Sequence, residues 1–92
     1  MNEKLIEKKL REGVKQKGGI ALKFSSSYFT AMPDRIVLMP GGRTYFTEVK
    51  STGKEATPLQ LRNIRMLRGL GFFADVIDNQ EDLDKFLKEI TK

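Results

Sequence analysis

Two acidic residues and one lysine carry the strongest chemical signal in this 92-residue chain. Asp34 follows Pro33 at the head of the apolar run Arg35-Ile36-Val37-Leu38-Met39, and Glu48 and Lys50 stand two apart at the end of a second run, Arg43 to Lys50. Residues i and i+2 of a strand point to one face, so Glu48 and Lys50 aim together. Pro40-Gly41-Gly42 between the runs signals a tight turn and hence an antiparallel hairpin. A turn centred on these glycines pairs residues whose numbers sum to about 82 or 83, which sets Asp34 opposite Glu48 or close to it. Two carboxylates at cross-strand distance repel by up to about 1 kcal/mol unless a cation lies between them. Lys50 supplies one positive charge; a divalent metal would supply two.

Composition narrows the chemistry further. The chain has no Cys and no His, which removes disulfides, thiolate zinc sites, cysteine nucleophiles, imidazole acid–base catalysis and His-ligated metals. Catalysis must then run on Asp, Glu, Lys, Ser, Thr, Tyr or Arg, and any metal must take oxygen ligands, as Mg²⁺, Mn²⁺ and Ca²⁺ do. With 17 Lys+Arg against 12 Asp+Glu the net charge is +5 and the pI near 9.6, a balance suited to a polyanionic partner. Hydrophobic residues at 39% and charged ones at 32% are ordinary for a globular domain. No apolar run approaches the roughly 18 residues of a membrane span and Met1-Asn2-Glu3-Lys4 is no signal peptide. The expectation is an intracellular, cytoplasmic protein without membrane contact.

The elements that must position these groups can be read in turn. Asn2 to about Lys17 reads as a helix with an apolar stripe of Ile6, Leu10 and Val14 and a Gly18-Gly19 stop. At about 100° per residue, Glu3 and Glu7 fall on or beside that stripe, out of place unless something on the inward edge wants carboxylates. Leu5 falls on another face. Ile20 to Phe24 is a strand, Ser25 to Pro33 a hydroxyl-rich loop, Asp34 to Met39 and Arg43 to Lys50 the hairpin strands, and Ser51 to Ala56 a polar loop. Thr57-Pro58-Leu59-Gln60 opens a second helix with an N-cap hydroxyl, Pro at the first position and Gln at the third. Leu59, Ile64 and Leu67 form its apolar face, and Gly69 and Gly71 end it. Phe72 to Ile77 is a fourth strand, after which Asn79 or Asp78 caps a final helix through Leu83, Phe86, Leu87 and Ile90. The order α-β-β-β-α-β-α over residues 1–92 predicts one α/β domain, a mixed central sheet flanked by helices.

Singly, each candidate has an ordinary reading. Pro33-Asp34 can be a turn and a surface aspartate, and Glu48-Val49-Lys50 a surface pattern in a highly charged chain. Gln60 completes a capping box with Thr57, and Glu7 can pair with lysines of its own helix. Their joint placement on one hairpin, between an acid-bearing helix and a polar helix start, is harder to reach by accident.

The series Glu7 … Pro33-Asp34 … Glu48-Val49-Lys50 … Gln60 resembles the PD-(D/E)XK nuclease superfamily. Gly18-Gly19-Ile20-Ala21-Leu22-Lys23-Phe24, Pro33-Asp34-Arg35-Ile36-Val37-Leu38, Pro40-Gly41-Gly42 and Pro58-Leu59-Gln60 are similar to its VRR-NUC branch, the virus-type replication and repair nuclease domain. The similarity runs from about Glu3 to Ile77. It implies a restriction-endonuclease-like αβββαβ core, the order already read from the pattern. It also implies that Asp34 and Glu48 are metal ligands with the backbone carbonyl of Val49 a third, and that an acid of the first helix joins them. Glu7, one turn deeper and ahead of Leu10, is preferred for that acid, with Glu3 the alternative. Lys50 would meet the scissile phosphate or attacking water, and Gln60 would be the family's helix-borne glutamine. Stand-alone phage or bacterial members look like homodimeric resolvases of four-way DNA junctions, whereas members with added DNA-binding domains are flap or crosslink-repair nucleases.

The resulting expectation is a Mg²⁺-dependent endodeoxyribonuclease of the stand-alone type, Mn²⁺ substituting and no organic cofactor taking part. Branched DNA, four-way junctions first, is the expected substrate, and a homodimer follows from small size and from the two symmetric nicks a junction needs. Lys23, Ser25, Ser26, Arg35, Lys54 and Arg62 are candidates for DNA phosphate contacts, or equally are solvated surface groups. Tyr28 and Phe29 can stack on an unpaired base, although packing in the core or a dimer contact is preferred. The rivals are a flap or single-strand endonuclease with the same site and a non-catalytic or partner-dependent DNA-binding module.

Overall fold

The computed structural model describes residues 1–91. Its first element, α1 (Glu3–Gln16), begins where the Asn2 side chain accepts a hydrogen bond from the Leu5 amide at 2.8 Å. Ile6, Leu10 and Val14 are fully buried, so the four-residue stripe is the helix's packing face. The helix stops at Gly18, whose φ of 87° suits glycine. Gly19 then brings the backbone so close to Leu38 that a Cβ would lie 2.6 Å from the Leu38 carbonyl oxygen.

Three strands follow: β1 (Ile20–Lys23), β2 (Arg35–Met39) and β3 (Arg43–Val49), each antiparallel to the last. Pro40–Gly42 turns the chain between β2 and β3, with φ of 82° at Gly41 and 77° at Gly42. Met39 pairs with Arg43 and Arg35 with Thr47, and continuing that register by one residue places Asp34 across from Glu48. After α2 (Pro58–Gly69), β4 (Phe73–Ile77) adds in parallel to β3, with Glu48 beside Val76. The sheet is therefore mixed, in the order β1-β2-β3-β4, and α3 (Gln80–Glu89) closes the chain. Asn79, not Asp78, caps α3, accepting from the Asp82 amide at 2.7 Å.

Strand alternation splits the core into two layers. Val37, Tyr45 and Val49 pack under α1 and α3 with Leu10, Leu83 and Phe86. Phe46 and Ala74 pack under α2 with Ile64 and Leu67. By the same alternation Asp34, Glu48 and Lys50 lie on the α2 side, and Arg35 and Thr47 under α1. Three sequence expectations shift. Asp34 and Lys50 lie just outside their strands, at the end of the sheet. Leu59 is 36% exposed, and Asn63 takes the buried position on α2. Among the described residues no helix is long and apolar enough to cross a membrane.

Candidate active site

The hairpin register brings Asp34 and Glu48 together, and the start of α1 completes the group. Thr52, two residues beyond Lys50, receives that start: its amide donates to the Met1 carbonyl at 2.9 Å and its hydroxyl to the Asp78 carbonyl at 2.6 Å. The first turn of α1 is thereby held against the end of the sheet. Glu3 and Glu7, one turn apart on one helix face, both arrive there. One carboxylate oxygen from each of Glu3, Glu7 and Asp34 can lie within 4.8 Å of the others. The two helix acids are thus not alternatives in space. Glu7 is half-buried and Glu3 exposed.

Glu48 stands beside this trio without joining it. Its side chain is 6% exposed and lies 3.9 Å from the Lys50 amine. Burial, and next the charge of Asp34, push its pKa from 4.5 up to about 7, against the pull of Lys50. Asp34 is raised as well, first by burial, with the charges of Glu7 and Glu3 adding to it. The Val49 amide offsets part of this by donating to Asp34 Oδ1 at 3.1 Å. Val49 itself ends β3, with its side chain wholly buried.

Arg35 corrects the sequence reading. It is 6% exposed, under α1, with Nη2 3.7 Å from Glu7 Oε1 and Nη1 donating to the Ala21 carbonyl at 3.5 Å. A side chain so enclosed cannot reach a DNA phosphate, so Arg35 leaves the set of DNA contacts and becomes the partner of Glu7. The cause is register: a residue next to Asp34 on an extended chain must point to the opposite, helix-covered face. Lys23, Ser25, Lys54 and Arg62 are exposed as expected. Ser26 is half-buried, its hydroxyl oxygen accepting from the Tyr28 and Phe29 amides. Gln60 realises the local reading, its Oε1 accepting from the Thr57 amide at 2.8 Å in a complete capping box. Tyr28 and Phe29 are not core residues, being 96% and 52% exposed.

Sequence reasoning missed Thr52 and Asn63. Asn63 is 2% exposed and donates from Nδ2 to the Thr30 carbonyl at 2.8 Å, fastening the serine loop to α2. The available signal was a polar residue four positions before Leu67 on the apolar stripe.

An oxygen-only set of clustered carboxylates, with a half-buried member raised by burial and then by its neighbours' charge, is the donor chemistry that hard divalent cations take. The residues therefore fit such an ion. Clefts of about 320 and 410 Å³ lie elsewhere, along β4, α3 and the Lys54–Ala56 segment.

The αβββαβ order with acids at the hairpin's open end defines an α/β domain with a clustered-carboxylate site, and comparison with known proteins gives its class. No family model matches the chain. A phage protein named "Putative nuclease p44", from Acyrthosiphon pisum secondary endosymbiont phage 1, is 41% identical over 90 residues, 98% of this chain and 96% of the relative. A solved structure described as "VRR_NUC domain" superposes with a TM-score of 0.86 at 29% identity, covering 94% of both chains. A second, "VRR_NUC domain protein", reaches 0.70 at 20% identity over 98% of this chain and 88% of its own, a likeness of fold. The chain belongs to the VRR-NUC family of nuclease domains.

Proposed function

We propose that this protein is a divalent-metal-dependent endonuclease that hydrolyses DNA phosphodiesters and acts as a homodimer on branched DNA, four-way junctions first. The observation that carries the reading is the meeting of Glu3, Glu7 and Asp34 within 4.8 Å, beside the buried Glu48–Lys50 pair. Glu7 and Asp34 would hold Mg²⁺ or Mn²⁺ with Glu48, the Val49 carbonyl and Glu3 as further oxygen donors. When bound, the ion offsets charge developing on the phosphate and eases deprotonation of a water.

The chain's own groups do the rest. Lys50 places a fixed cation for the phosphate oxygens, its amine steadied by Glu48. Arg35 steadies the Glu7 carboxylate from beneath. Gln60 has committed its oxygen to the helix cap, which leaves its Nε2 hydrogens to orient water or phosphate. Lys23, Lys54 and Arg62 position the DNA through its backbone without reading sequence. Hydrolysis should leave 5′-phosphate and 3′-hydroxyl ends.

An uncovered sheet face supports the dimer. Ile20, Leu22 and Leu38 lie on the α2 side of β1 and β2 beyond the reach of α2, and are 52%, 41% and 38% exposed. Ile20, Leu22 and Leu38 are themselves uncharged, so two +5 chains can bring this patch together without like charges opposing within it. Incubating four-way junctions, flaps and plain duplex with Mg²⁺ and then with EDTA tests the activity; equal cleavage in EDTA contradicts it. Sedimentation at micromolar concentration tests the dimer, and a stable monomer that still resolves junctions removes it.

A further inference from the structure

The loop from Ser25 to Met32 leaves β1 and returns to Asp34, where its two ends are joined: the Phe24 amide donates to the Asp34 carbonyl at 2.8 Å. Along its length the loop is fastened again. Ser26 Oγ accepts from the amides of Tyr28 at 3.3 Å and Phe29 at 3.1 Å, and Asn63 holds the Thr30 carbonyl. Phe24 and Met32 pack into the α2-side core. The loop is thus anchored at base and flank, and its apolar ends are what it buries. Tyr28 nevertheless stands 96% exposed, with Phe29 beside it at 52%. From Ile20 to Pro33 the chain has no acidic residue, and Ser25, Ser27 and Thr30 add hydroxyls that can meet phosphate.

We propose that Tyr28, flanked by Phe29, is a stacking platform for an unpaired base, and that this loop gives the nuclease its preference for branched or single-stranded DNA over continuous duplex. The inference rests on the nuclease reading above and names its substrate determinant. An aromatic ring held outward by its own loop is already placed for stacking, which needs a π-face and not a sequence. Stacked bases of an intact duplex offer no free face; a junction, flap or single strand does. Six steps along the chain join Tyr28 to Asp34, so at about 3.3–3.6 Å per residue their Cα atoms are at most roughly 22 Å apart.

The test measures binding, in EDTA so that no cleavage runs, of the full chain to a flap carrying 2-aminopurine at its unpaired position and to a matched duplex. Tyr28→Ala should weaken binding to the flap about tenfold and leave the duplex unchanged, with loss of the 2-aminopurine quenching that stacking causes. Tyr28→Phe should match the wild type, and Tyr28→Leu should behave as Tyr28→Ala, because an apolar side chain without a ring cannot stack. The exposed position leaves the thermal midpoint unchanged. Full retention in Tyr28→Leu, equal loss on both DNAs, no loss, or a change of sedimentation in Tyr28→Ala would each overturn the proposal, the last by assigning the ring to a contact between copies. Failure of the wild type to cleave junction, flap and single strand alike in Mg²⁺ would instead strike the nuclease reading, and the binding arms would still report on Tyr28.

Discussion

Neutralising Glu48 should stabilise the metal-free fold while abolishing cleavage. The buried carboxylate titrates at about 7 where an ordinary glutamate titrates at 4.5, so holding it ionised above neutrality costs up to about 3 kcal/mol. The folded pKa lies above the unfolded one, and the folded state binds the extra proton between about 4.5 and 7. Wild-type stability in EDTA must therefore fall as pH rises through that window and level off above it. Asp34, raised in the same direction, steepens the fall. Glu48→Gln keeps the shape and removes the charge. Its amide needs new partners beside Lys50, and that cost offsets part of the gain, leaving about 1–2 kcal/mol at pH 8 and almost none at pH 4. For a domain of this size the gain corresponds to roughly 5–15 °C in melting temperature. Thermal melts in EDTA at pH 5 and pH 8 check the sign. Mg²⁺ should then raise the wild-type midpoint and leave the variant nearly unmoved. A Glu48→Gln midpoint at or below wild type at pH 8, or wild-type stability rising with pH between 4.5 and 7, would refute the reasoning.

Asp34→Asn should lower cleavage at least about 10²-fold and abolish stabilisation by Mg²⁺, read by gel assay and by melting with and without the ion. Arg35→Met leaves Glu7 without its buried partner and should cost about 3 kcal/mol in urea denaturation. Lys54→Ala, on an exposed side chain, should leave stability unchanged and reduce the salt slope of DNA binding by about one. Thr57→Ala removes the hydroxyl that receives the Gln60 amide and should destabilise the protein by about 1 kcal/mol, measured in urea.

Local rules carried the fold far. The four-residue stripe of α1, the cap at Thr57 and the glycine turn each arise from chemistry within a few residues, and each stands where the sequence places it; Asn79 is one of the two caps the sequence offers for α3, and Asn2, read there as helical, is instead the cap of α1. The hairpin register, and with it the approach of Asp34 to Glu48, needed only turn counting. What stayed hidden depends on depth. Arg35 reads as a surface cation until α1 is known to lie over that face of β2. Asn63 and Thr52 act through backbone carbonyls 33 and 26 residues away in sequence, which no local pattern encodes. Tyr28 shows the converse: its aromatic character suggested packing, and only the fastened loop shows the ring turned outward.

The choice between Glu3 and Glu7 was posed as a question of which helix acid serves, and the charge balance of the site answers it differently. Glu3, Glu7, Asp34 and Glu48 gather at one end of the sheet, while Arg35 is the cation paired with Glu7 and Lys50 the one paired with Glu48. Fully ionised, that group lacks two positive charges, the charge of one divalent ion. Burial, and next the charge of Asp34, raise Glu48, so a proton near neutral pH offsets part of this excess of negative charge. Glu3, being exposed, adds negative charge there at little desolvation cost, so on the proposed reading both helix acids can serve one ion.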